Sequence, residues 1–89
     1  MRERDIEKYL HQQVTLHGGT TRKFLGRRGN PDRLVLWPEG KVHFVECKRP
    51  DGKARAEQKR EHARLQCFGA IVWVLTTKRG IDSYVGFYA

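Results

Sequence analysis

The sequence predicts an α/β fold in the order α-β-β-β-α-β, with a mixed central sheet flanked by helices. Three observations predict it. Apolar residues near the N-terminus recur at helical spacing. Short β-prone runs follow, punctuated by glycine and proline. Between the last two of these runs lies a stretch of helix formers free of glycine and proline, so the strands on either side connect through a crossover and pair in parallel. At 89 residues the chain makes one domain, residues 1–89.

Residues 3–17 are expected to be helical, because Ile6, Tyr9, Leu10, Gln13, Val14 and His17 fall on one stripe. Gly18-Gly19 supplies the stop. Thr20 to Leu25 is a first strand, and Gly26 to Pro31 a loop. Leu34 to Trp37 is a continuous apolar run, expected to be covered on both faces. Pro38-Glu39-Gly40 is a tight turn, from which Val42 to Cys47 returns as the partner strand of a hairpin. Ala54 to Phe68 is a helix ended by Gly69, and Ala70 to Leu75 a buried strand. In the tail, Ile81, Tyr84, Val85 and Tyr88 fit a short amphipathic helix better than they fit alternation.

The net charge of +8 and the pI of about 10.0 point to a polyanionic partner, nucleic acid before an anionic membrane surface. No apolar run approaches the roughly 20 residues that span a bilayer. The start, MRERDIEKYL, lacks the apolar middle of a signal peptide. Cys47 and Cys67 form no Cys-x-x-Cys pair and are expected to be reduced thiols of a cytoplasmic protein.

Glu46 and Lys48 are two apart on a strand, so they face the same way while Cys47 turns to the other side. The short turn at Pro38-Glu39-Gly40 folds the start of the second strand beside the end of the third, which sets Asp32 next to that pair. Carboxylates held close repel unless a cation neutralises them. A hard divalent ion takes carboxylate, carbonyl, water and phosphate oxygens, and it can activate a water and stabilise phosphoryl charge. Asp32, Glu46 and the Cys47 backbone carbonyl are therefore the candidate metal ligands, with Lys48 a cationic partner for phosphodiester hydrolysis. A lone Glu-x-Lys on a strand is usually solvated surface; the upstream Asp32 and the basic chain favour a site.

Pro31-Asp32 followed by Glu46-Cys47-Lys48 resembles the PD-(D/E)xK nuclease signature. The finer resemblance is to the VRR-NUC domain, the virus-type replication–repair nuclease, in its short stand-alone phage and bacterial form. It runs through Asp5-Ile6-Glu7, Gly18-Gly19, Lys23-Phe24, Gly26-Arg27-Arg28-Gly29, Pro31-Asp32-Arg33, Phe44-Val45, Glu46-Cys47-Lys48, Pro50, Gly52-Lys53 and Gln58. The resemblance implies a restriction-endonuclease-like fold, Mg²⁺ or Mn²⁺, and cleavage of DNA. It also implies a homodimer acting on four-way (Holliday) junctions, in the cytoplasm of a bacterial host and encoded by a phage or prophage. By the same resemblance Glu7 on the first helix reaches the metal region, with Glu3 its rival. Gln58 on the second helix would hydrogen-bond the attacking water or a catalytic neighbour.

Lys23, Arg27, Arg28, Arg33, Arg49, Lys53 and Arg55 flank this region and are expected to form a DNA-facing rim that neutralises phosphates. His11, His17, His43 and His62 lack zinc spacing and read as structural or exposed. Trp37 and Trp73 read as core. Ile81, Tyr84, Val85, Phe87 and Tyr88 are the expected dimer interface. A DNA-binding module without catalysis, or a subunit needing a partner for targeting, are the alternatives to a self-sufficient enzyme.

Overall fold

The computed structural model describes residues 1–89. The elements are α1 (Glu3–Leu16), β1 (Thr20–Lys23), β2 (Arg33–Trp37), β3 (Lys41–Cys47), α2 (Ala56–Cys67), β4 (Ile71–Leu75) and α3 (Lys78–Tyr88). The four strands form one mixed sheet in the order β1-β2-β3-β4. The hairpin is antiparallel, with Leu34 opposite Phe44 and Trp37 opposite Lys41, and β4 lies parallel to β3. The expected fold class is therefore found, and the tail is the amphipathic helix its spacing suggested. No helix is long and apolar enough to cross a membrane.

Local chemistry sets the boundaries. The Asp5 carboxylate accepts the Arg2 N–H at 3.0 Å, and Gln58 does the same for the Arg55 N–H at 3.0 Å, so each helix start satisfies an orphan donor. Gly18 turns α1 off in a left-handed conformation (φ +95°). Any Cβ on Gly19 would meet the Leu36 carbonyl at 2.8 Å, so the chain can enter β1 against β2 only with glycine there. β1 is shorter than expected, but the Phe24 N–H still bonds the Asp32 carbonyl at 2.9 Å and continues the ladder past its end.

The two sheet faces are covered unequally. On one face Val35, Trp37, Val45, Cys47 and Leu75 pack under Ile6, Leu10, Val14, Ile81, Tyr84 and Val85 of α1 and α3. Tyr84 ties this core together: its hydroxyl accepts from Trp37 Nε1 at 3.2 Å and lies 2.6 Å from His43 Nδ1. The other face carries α2, whose buried residues are Gln58, Glu61 and His62, all polar.

Three expectations are corrected here. The Leu34–Trp37 run is covered fully on one face only: Val35 and Trp37 are buried, whereas Leu34 and Leu36 are half-buried. The Ala70–Leu75 run is an edge strand and not a buried one, with Ile71 42%, Trp73 37% and Val74 46% exposed. Ile81, Tyr84 and Val85 cannot form a dimer interface because they belong to the core, which leaves Phe87 as the exposed apolar residue of that set.

Candidate active site

The site lies where the hairpin ends and the N-terminal part of α1 meets α2. Pro31 is fully buried and fixes the loop entering β2. The next residue, Asp32, has its carbonyl held by Phe24 and its Oδ1 held by the Cys47 N–H at 3.2 Å. Arg33 pairs with Val45, so Asp32 falls opposite the Glu46 end of β3, as the short turn required. The Lys48 N–H bonds the Leu75 carbonyl at 3.0 Å, extending the parallel ladder and fixing the lysine backbone. Its Nζ lies 3.8 Å from Glu46 Oε2.

The third carboxylate is Glu3. Oxygens of Glu3, Asp32 and Glu46 all lie within 4.8 Å of one another. Of the two first-helix rivals, Glu3 joins the pair within this distance, and Glu7 also lies beside Asp32. Glu7 lies one turn further along α1, bound to Arg33 at 3.3 Å. Arg33 is thereby turned inward, with its side chain 22% exposed and its guanidinium on Glu7. The Cys47 group seen at work is its N–H.

The electrostatics of this cluster are those of stranded anions. Burial pushes the Asp32 carboxyl up to about 8, helped by the charge of Glu46 and by Glu7 alongside, against the pull of the Cys47 N–H. Burial likewise raises Glu46 to about 7, with Lys48 opposing and Glu3 and Glu7 adding to the rise. Asp32 Oδ2 and Glu46 Oε1 are buried without a hydrogen-bond partner. Buried polar atoms are nearly always paired, so two such oxygens in one cluster mark a place built for a cation or for protons.

Beside the cluster opens a cleft of about 440 Å³ lined by Arg2, Glu3, Lys48, Arg49, Gly52 and Lys53. Four of these six carry positive charge, so the cleft favours a phosphate next to the carboxylates. Arg49 and Lys53 were expected near DNA; Arg2 was not, since nothing in the sequence announces that the chain start returns to this end of the sheet. Lys23, Arg27, Arg28 and Arg55 are exposed. Arg28 pairs with Glu57 at 2.9 Å and Arg27 with Glu61 at 3.8 Å. These pairs hold the 26–30 loop on α2, where Gly29 (φ +87°) passes so close that a Cβ would stand 2.8 Å from the Glu57 carbonyl.

Gln58 uses its Oε1 to cap α2, leaving its amide NH₂ for any role at the site. One turn further on, His62 sits 4.0 Å from Glu46 Oε1. Its pKa is lowered by burial first, with Glu61 and Lys48 acting in opposite directions. Of the four histidines expected to be structural or exposed, His43 is bonded to Tyr84 in the core, and His62 is buried beside the carboxylates. A signal existed: His62 shares a stripe with Gln58, four residues earlier.

A mixed sheet whose hairpin sets an aspartate against a Glu-x-Lys strand end defines the PD-(D/E)xK class of α/β nuclease folds. A solved structure of a VRR_NUC domain matches with a TM-score of 0.85 and 34% identity, over 98% of this chain and 97% of that one. A protein of Acyrthosiphon pisum secondary endosymbiont phage 1, named "Putative nuclease p44", is 51% identical over 80 residues, covering 88% of this chain and 86% of its own. No family model matches the sequence. The chain belongs to the VRR-NUC nuclease family.

Proposed function

We propose that this chain is a divalent-metal-dependent endonuclease that hydrolyses DNA phosphodiester bonds, acting as a homodimer on branched DNA such as four-way junctions. The observation that carries the reading is the cluster of Glu3, Asp32 and Glu46 within 4.8 Å, beside Lys48 and a basic cleft. All-oxygen donors with two unpaired buried oxygens fit a hard cation, Mg²⁺ or Mn²⁺. Glu3, Asp32 and Glu46 would hold it, with the Cys47 carbonyl and Glu7 as further oxygens. When bound, such an ion supplies an acidified water and charge stabilisation at a phosphoryl oxygen.

The chain's own groups do the rest. The Cys47 N–H keeps Asp32 aimed, and the Arg33 guanidinium keeps Glu7 beside it. Lys48, held near Glu46, presents a cation to the charge that grows on the phosphate as the bond breaks. The Gln58 amide can orient the attacking water. Arg2, Arg49 and Lys53 receive the flanking phosphates, and Lys23, Arg27, Arg28 and Arg55 extend the contact along the backbone.

Cutting two symmetric strands of a junction needs two such sites, which a C2 dimer supplies. The half-open sheet face and its edge, with Val42, Val74, Ile71 and Phe68 exposed, are the surface for the second copy. The test is a cleavage panel of labelled four-way junction, flap, duplex and single strand, with Mg²⁺, Mn²⁺ or EDTA. Metal-dependent nicking, strongest on the junction, is expected. Tight binding with no nicking in either metal would leave the DNA-binding-module reading in its place.

A further inference from the structure

The buried stripe of α2 is polar throughout, and two of its three side chains are accounted for. Gln58 accepts the Arg55 N–H, and Glu61 accepts from Arg64 at 2.8 Å and lies 3.8 Å from Arg27. The third, His62, is 8% exposed and its Nε2 has no partner. Facing that nitrogen at 4.0 Å is Glu46 Oε1, which also has no partner. The other oxygen of the same carboxylate, Oε2, faces Lys48. One carboxylate thus looks two ways, towards the lysine on one side and towards an unpaired ring nitrogen on the other.

We infer that His62 is a positioning residue for Glu46: its Nε2–H donates to Glu46 Oε1 and fixes the plane of the carboxylate, leaving Oε2 to the cation and Lys48. A movement of about 1 Å brings the pair to an ordinary N–H···O length, and only the Nε2–H tautomer can face an oxygen without two lone pairs opposing. The physical gain is orientation. A carboxylate free to rotate spreads its charge over several directions, whereas one pinned through Oε1 holds Oε2 where the ligand set converges. The inference rests on the metal-dependent reading above.

The experiment compares wild type, His62→Leu and His62→Gln. Mn²⁺ affinity is read from the free-ion signal in electron paramagnetic resonance, kcat and KM on a labelled four-way junction, and folding from the thermal midpoint. Leucine keeps the bulk and removes the donor; glutamine restores an N–H. For His62→Leu, Mn²⁺ binding should weaken about tenfold or more and kcat should fall in step. KM for DNA should hold, and the midpoint checks that each variant is folded at the assay temperature. His62→Gln should recover most of the loss. The inference is overturned if the leucine variant binds Mn²⁺ within about twofold of wild type and keeps its kcat, since partners of this kind typically matter by ~10-fold or more. It is equally overturned if glutamine is no better than leucine. Failure of wild type itself to bind Mn²⁺ would instead remove the metal-dependent reading, and this inference with it.

Discussion

The two faces of the sheet are built from the same four strands, yet they do opposite things. Under α1 and α3 the residues are apolar and buried, and the polar atoms there, Tyr84, His43 and Trp37, satisfy one another. Under α2 the apolar side chains Leu34, Leu36 and Phe44 are only half-covered, Val42 and Val74 are exposed, and the helix brings Gln58, Glu61 and His62 inward. Of the four buried polar atoms without partners, those on Asp32, Glu46 and His62 lie at the end of this arrangement, and Arg33 Nε lies beside them on the α1 side. One face holds the fold together, and its stability is what allows carboxylates to be held close and dehydrated on the other.

This contrast can be broken from either side. The largest effect expected is on chemistry: Lys48→Ala or Asp32→Ala should lower junction cleavage by roughly 10²–10³-fold or more, the scale seen when a transition-state donor is removed. DNA binding should be retained; a parallel loss of binding would show that these residues serve the contact surface. On the closed face the pattern should invert. Leu10→Ala, at a fully buried core position, should cost about 2–5 kcal/mol and lower the midpoint by roughly 10 °C or more, with cleavage per folded molecule retained.

The pH response should separate the faces further. Because Asp32 and Glu46 have folded-state pKa values raised to about 8 and about 7, the folded chain binds protons that the unfolded chain has released. Without added metal, stability should therefore be greatest below about pH 4 as far as these two groups are concerned, and fall as pH rises to about 8. Glu46→Gln should flatten that decline, and Mg²⁺ should recover more of the midpoint at the upper end of the range than at the lower. A midpoint independent of pH across this window in EDTA would contradict the picture of stranded anions.

Smaller effects test the open face as a contact. Val74→Asp should shift the sedimentation coefficient towards the monomer and reduce paired nicking of a junction, with little change in the midpoint. Smallest of all, Arg28→Ala removes an exposed pair with Glu57, so stability should change by less than about 1 kcal/mol. Its DNA affinity should fall a few-fold, and the dependence on salt should lose about one unit of slope.

Periodicity and turn chemistry determined the element order, the hairpin and the crossover, because each depends on neighbours a few residues apart. The register followed from the three-residue turn at Pro38-Glu39-Gly40, and with it the meeting of Asp32 with Glu46 and Lys48. What periodicity could not reveal is which apolar run ends up covered. Leu34–Trp37 and Ile71–Leu75 are nearly uniform in hydropathy, and only the placement of three helices on two faces leaves one edge bare. The approach of Glu3 as well as Glu7 to the pair, the inward turn of Arg33, the return of Arg2 to the cleft and the approach of His62 to Glu46 were likewise decided by the tertiary structure. The reason is physical. Local spacing fixes which face of a helix a residue occupies, but the angle and depth at which that helix docks decide what the face meets.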